Sequence, residues 1–200
     1  VSGARWWLIA VLPMLAPVDS LDHVVARAVQ GARAPAWEGV MHEATQLPTG
    51  WRLAVGVGAL LVIDRGAGLA TVATAAVGAI PANLAVEGLK RAVDRRRPDG
   101  SGHGGGSSFP SSHAANAWLL AVVLARRWPR GAPLWAASAA LVAFSRMYLH
   151  RHYLSDVAVG SAIGLASGWF AVATAGRRWM PGKAPAPAPT SEVEPGDTLC

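Results

Sequence analysis

The sequence predicts an all-α integral membrane protein: a six-helix bundle with amphipathic interfacial helices between the first and second spans. Three observations carry this. Apolar residues make up 52% of the 200-residue chain and charged residues only 15%, whereas a soluble domain carries about 25% charged residues to cover its surface. Two uncharged runs, residues 67–86 and 157–176, are long enough to cross a hydrocarbon core of about 30 Å at about 1.5 Å per residue. Nine Trp stand against three Phe and two Tyr, and Trp is favoured where an apolar ring meets the headgroup layer.

The first apolar block, residues 6–18, follows Arg5 and is closed by Asp19 and Asp22. Pro13 and Pro17 interrupt it and no small-x-small site follows, so a span is expected rather than a cleaved leader. Residues 21–47 alternate apolar and polar positions at helical spacing, the pattern of a pair of helices lying on the membrane surface. The next blocks are residues 53–63, 67–86, 114–125, 131–145 and 157–176. The shorter ones span only if flanking Arg52, His113 and Arg126 snorkel or face a polar cavity. Gly160, Gly164 and Gly168 recur every fourth residue in the last block, which lets another helix approach closely. Residues 1–182 are expected to form the membrane domain. From 183 to 200 the chain turns Pro/Ala-rich and then acidic, the composition of a disordered tail.

Orientation follows from the short loops. Arg65, then Arg126, Arg127 and Arg130, then Arg177, Arg178 and Lys183 share one side in a six-span topology, and that side is expected to be cytoplasmic. The opposite loops also carry positive charge, at 90–97 and 146–151. Those cations conflict with the rule unless they have a separate task.

Several function classes are disfavoured. The net charge of +6 fits an anionic partner, but no long basic stripe with interleaved aromatics exists, and a nucleic-acid groove needs no apolar spans. Cys200 is the sole cysteine, so neither an intrachain disulfide nor a thiolate metal cluster is available. The Gly-rich run at 100–106 lacks the Gly-Lys-Ser/Thr ending of a nucleotide loop.

Three polar clusters lie at ends of apolar helices on the side opposite the cytoplasm. In the first, Lys90 precedes Arg97-Pro98 by seven positions. That spacing puts both side chains near one helical face, with Asn83, Glu87 and Asp94 continuing it. A collar of snorkelling cations is the alternative, and it suits Arg91, Arg95 and Arg96. The second cluster is Pro110-Ser111-Ser112-His113 at a helix start. Such an end offers unpaired N–H groups to a phosphate and places His113 to move a proton; simple helix capping is the alternative. The third cluster is Ser145-Arg146, His152 and Asp156. His and Asp four apart share a helical face, so Asp156 is expected to hold the Nδ1 proton of His152 and leave Nε2 as nucleophile. An interfacial ion pair is the alternative there. Each buried charge costs roughly 2.5–3.5 kcal/mol on insertion scales, and converging Lys90, Arg97 and Arg146 repel one another. A bound phosphate resolves that repulsion.

The order Lys-x6-Arg-Pro, Pro-Ser-Ser-His, Ser-Arg-x5-His-x3-Asp resembles the signature of the type 2 phosphatidic acid phosphatases. That superfamily includes lipid phosphate phosphatases, bacterial undecaprenyl-diphosphate phosphatases and vanadium-dependent haloperoxidases. With each residue type near one in twenty, the third motif alone recurs by chance about once in 10⁵ places. The resemblance implies that His152 is the nucleophile, oriented by Asp156, and that His113 is the acid and then the base. Lys90, Arg97, Arg146, Ser111 and the backbone at Ser112 would hold the phosphate, with no metal and no cofactor. His150 is close by, but the five-residue spacing selects His152. Ser112 departs from the usual Gly, and its side chain narrows the space that glycine leaves for backbone approach.

The implied substrate is a lipid-linked phosphate reached from the bilayer of a prokaryotic plasma membrane. Undecaprenyl diphosphate comes first, then phosphatidate-type lipids or a lipid-linked sugar phosphate. Phosphoryl transfer to another acceptor, vanadate-dependent halide oxidation and non-catalytic lipid binding are the competing readings.

Overall fold

In the computed structural model, residues 6–64, 67–101 and 106–179 are described. They form seven α-helices and one 3-10 turn: α1 Trp6–Gly31, α2 Pro35–Gln46, α3 Gly50–Ile63, α4 Gly68–Val93, α5 Ser112–Arg127, the turn Pro129–Gly131, α6 Ala132–Tyr148 and α7 Leu154–Trp179. No strand occurs among the described residues, in keeping with the expected all-α class. The tail expected over 183–200, Arg65 and most of the Gly-rich run lie outside the described residues.

The expected count of six spans is not reproduced. Among the described residues two helices, over Gly68–Val93 and Leu154–Ala175, are long and apolar enough to cross a membrane. At 16 and 17 residues, α5 and α6 are short for a crossing; α5 ends in Arg126 and Arg127, and α6 has Arg146 in its last turn. The N-terminal region also differs from expectation. The first apolar block and the start of the segment read as surface helices form one continuous helix, α1. Pro13 and Pro17 do not break it. Only α2, begun by Pro35 at a position where no N–H is needed, remains as a short separate helix.

Small residues set the packing. A Cβ on Gly160 or Gly164 would fall onto the carbonyls of Ser111 and Ala115, and one on Gly168 would meet Val122. The glycine stripe of α7 is therefore the surface that α5 lies against, with the two backbones in near contact. On its other sides α5 packs Ala117 and Ala121 against Ala139 and Val142 of α6, and Leu119 and Val123 against Ala82 of α4. Central α5 thus touches three neighbours. Leu69, Ile80 and Leu84 of α4, and Trp169 of α7, are exposed, as helices facing lipid require.

The helices alternate in direction. The C-terminal ends of α4 and α6 and the N-terminal ends of α5 and α7 meet at one end of the bundle. At the other end, Arg127 of α5 makes two 2.7 Å hydrogen bonds to the carboxylate of Asp64 beyond α3. The second half of α1 runs across the α6–α7 junction. Gln30 Nε2 donates to the carbonyls of Met147 and Tyr148 at 3.2 and 3.1 Å, and the Tyr148 hydroxyl donates to the carbonyl of Ala34 at 2.7 Å.

Candidate active site

The three polar clusters meet where those four helix ends converge. Lys90 stands in the last turn of α4. Asp94, in the left-handed region at φ 41°, ends that helix with its N–H on the Lys90 carbonyl. Arg97 is therefore not on the helical face of Lys90, as the spacing suggested. It sits in the following loop, where its N–H donates to the Ser101 carbonyl at 3.1 Å. The polar strip expected along α4 is likewise absent: Asn83 bonds Asn116, Glu87 pairs with exposed Arg91, and Asp94 is exposed.

Ser111 is the N-cap of α5 and is fully buried, its Oγ accepting from the Ala114 N–H at 3.4 Å. Its own N–H donates to the Asp156 carbonyl at 2.9 Å, which joins the starts of α5 and α7. Ser112 opens α5 and His113 follows in the first turn. His113 interacts electrostatically with Arg146, His152, Lys90 and Arg97, so all three clusters lie within reach of one another. Arg146, in the last turn of α6, donates to Thr45 Oγ1 of α2 at 2.7 Å. The Nε atoms of both Arg97 and Arg146 are buried without a hydrogen-bond partner.

His152 is 4% exposed and lies before α7 rather than on it, so it shares no helical face with Asp156. Its Nδ1 is 2.7 Å from the Ser108 carbonyl oxygen and 3.7 Å from Asp156 Oδ2. A carbonyl can only accept, so Nδ1 carries the proton and Nε2 keeps its lone pair. The expected arrangement thus needs correction: the Ser108 carbonyl makes the short bond that selects the tautomer, and Asp156 stands behind it. Burial pushes the imidazole below its usual range, and Arg146 acts in the same direction, against Asp156 and Ser108. The ring is neutral at pH 7. His150, at φ 57°, turns the chain between α6 and His152.

The carboxylate of Asp156 is fully buried. One oxygen accepts from the Tyr153 N–H at 2.8 Å, reaching back across the first turn of α7 as in a capping box. The other accepts from Arg95 Nη1 at 2.9 Å. Arg95, assigned above to a snorkelling collar, is instead a hub. It also pairs with Asp22 at 2.8 Å and Asp19 at 3.0 Å, bonds Ser155 Oγ at 2.7 Å and lies over the Tyr153 ring. In a run of closely spaced cations the sequence does not mark which one turns inward. Asp22 and Ser108 were missed for the same reason: their partners are distant in the chain.

The result is a cluster of three cations, two imidazoles and a helix N-terminus. It offers unpaired buried donors to an anion, and one imidazole has a free lone pair. Comparison with known proteins agrees with that chemistry. The sequence profile of the PAP2 superfamily matches residues 67–180, a stretch that holds every cluster described.

The chain belongs to the PAP2 superfamily.

Among curated members, it is 36% identical over 99 residues to a lipid A 1-phosphatase of Rhizobium etli, covering 44% of this chain and 41% of that protein. It is 37% identical over 100 residues to the decaprenylphosphoryl-5-phosphoribose phosphatase of Mycobacterium tuberculosis, covering 47% and 55%. The matched part thus spans about half or less of these relatives' lengths. Two solved PAP2 structures share the fold. LpxE of Aquifex aeolicus superposes with a TM-score of 0.66 at 23% identity, over 76% of this chain and 94% of its own. The transmembrane phosphatidylglycerolphosphate phosphatase of Bacillus subtilis gives 0.65 at 24%, over 82% and 90%.

Proposed function

We propose that this PAP2 protein is a metal-independent membrane phosphatase that hydrolyses a phosphate ester or diphosphate of a lipid. The observation that carries this is the pair of buried, unpartnered guanidinium Nε donors of Arg97 and Arg146 beside a neutral His152. Unpaired buried donors are costly, and a phosphate with its several acceptor oxygens removes that cost. Lys90 and the N-terminus of α5 from Ser111 to His113 complete the cradle.

In the proposed reaction, His152 Nε2 attacks phosphorus in line with the bond to the lipid oxygen. A P–N bond forms as the P–O bond breaks, and His113 gives its proton to the leaving oxygen. His113 then takes a proton from water, whose oxygen attacks phosphorus and releases phosphate from His152. Arg97, Arg146 and Lys90 balance the charge that develops on the phosphoryl oxygens, the role metal ions fill elsewhere. Ser112 in place of glycine narrows the approach to the backbone.

A site at helix ends suits a substrate whose tail stays in the bilayer. The relatives' substrates favour a lipid-linked sugar phosphate, with undecaprenyl diphosphate and phosphatidylglycerol phosphate as further candidates. A plasma-membrane protein with six spans and a non-cytoplasmic site fits the loop charges. The test is phosphate release by detergent-purified protein from a panel of these lipids, with His152→Ala alongside and chelator present. Release by the parent, retained in chelator and reduced at least about 10³-fold in His152→Ala, is the expected result. Folded parent protein that releases phosphate from none of them would overturn the reading, and halide oxidation dependent on added vanadate would replace it.

A further inference from the structure

Behind His152 lies a second layer of charge, separate from Lys90, Arg97 and Arg146. Arg95 leaves the end of α4 and is clamped by three carboxylates: Asp156 at 2.9 Å, Asp22 at 2.8 Å and Asp19 at 3.0 Å. Asp22 and Asp156 are 1% and 0% exposed, so these are pairs shielded from water. Asp22 does more than pair. Its Oδ1 accepts from the Ser155 N–H at 2.8 Å and its Oδ2 from the Ser155 hydroxyl at 2.5 Å. A side chain of α1 thereby caps α7, a helix 133 residues away in the chain.

The same loop also holds the other face of the nucleophile. The Arg95 N–H donates to Ser107 Oγ at 3.0 Å, and the Ser108 N–H donates to the Arg95 carbonyl at 2.8 Å. Ser108 is the residue whose carbonyl accepts from His152. The backbone of Arg95 thus fixes the Ser108 carbonyl, while its guanidinium fixes Asp156. Both groups that orient the His152 ring are tied to this one residue.

We infer that Arg95 and Asp22 are positioning residues for the phosphoryl-transfer step, locking Asp156 and the start of α7 so that His152 Nε2 stays aimed at the phosphate. The inference rests on the function proposed above. Neither residue reaches the phosphate cradle, which Lys90, Arg97 and Arg146 supply. Loss of the clamp therefore acts on turnover and not on substrate capture. A misplacement of about 1 Å at a reacting atom costs on the order of 10²-fold in rate.

The experiment is steady-state kinetics on the full chain in detergent, with the best lipid phosphate from the panel. Arg95→Met keeps the stem and removes the charge. Asp22→Asn keeps an oxygen for the Ser155 N–H and removes the ion pair. Each is expected to lower kcat about 100-fold with KM within about twofold of the parent. The double variant should be no worse than the weaker single one, because both break one clamp. Arg95→Lys, which retains one charge contact, should recover part of kcat. An inactive parent would overturn the functional reading and this inference with it, whereas an active parent confines any failure to the clamp. With an active parent, unchanged kcat in either folded variant overturns the inference. A raised KM at constant kcat also overturns it, since it would make Arg95 a phosphate ligand. Should Arg95→Met fail to fold, Asp22→Asn and Arg95→Lys carry the same comparison.

Discussion

At the scale of single residues, the chemistry turns on which proton His152 holds. In the proposed mechanism the ring must be neutral to attack, so activity should be lost as pH falls through its pKa. Burial sets that pKa below the usual 6.5, so the limb of the kcat/KM profile that reports His152 should lie below pH 6.5. Asp156→Asn removes a carboxylate that favours the imidazolium, so it should move this limb to still lower pH. A limb that belongs to the substrate's own phosphate would stay in place. A His152 limb above pH 7 in the parent would contradict the neutral ring. The identities of Lys90, Arg97, Ser111, His113, Arg146, His152 and Asp156 as candidates were legible in the sequence, because their spacing is local to three short motifs. The bonds between them were not. His152 bonds a carbonyl 44 positions away, and Arg95 finds acids on α1 and α7, contacts that no window along the chain contains.

At the scale of elements, the start of α5 and the stripe on α7 were readable, and for one reason. Both are written in backbone requirements, a side-chain cap at Ser111 and missing Cβ atoms at Gly160, Gly164 and Gly168. The end of α4 was not readable, since the left-handed residue that stops it is Asp94 rather than glycine. The continuity of α1 was hidden by its two prolines. The packing itself can be tested. In Gly164→Ala the new methyl meets the Ala115 carbonyl, and forcing the helices apart should cost about 1–3 kcal/mol. Gly88, on α4, has open space around it, and Gly88→Ala should gain about 0.5–1 kcal/mol from backbone entropy. Thermal midpoints in detergent separate the two variants, and equal shifts would refute the close α5–α7 contact.

At the scale of the molecule, the charged ends of the bundle differ in kind. One end carries the candidate site, and the other carries Arg126, Arg127 and Arg130 with Asp64. The proposed orientation can be read out by thiol labelling, starting from Cys200→Ser, which removes the sole cysteine. With an impermeant reagent, Ser101→Cys should label in right-side-out vesicles and Arg130→Cys only in inverted ones. The opposite pattern would turn the site toward the cytoplasm. The link between α1 and α7 also bears on biosynthesis. A chain emerges from the ribosome in order, so the Asp22 segment is inserted 133 residues before the Ser155 it caps. Arg95 follows Asp22 by 73 residues, so both of its α1 partners are already made when it emerges, while His152 is not. Only when α7 docks does the hub receive Asp156, so the proposed site stays unassembled in the membrane until the third motif has been translated and its helix is in place.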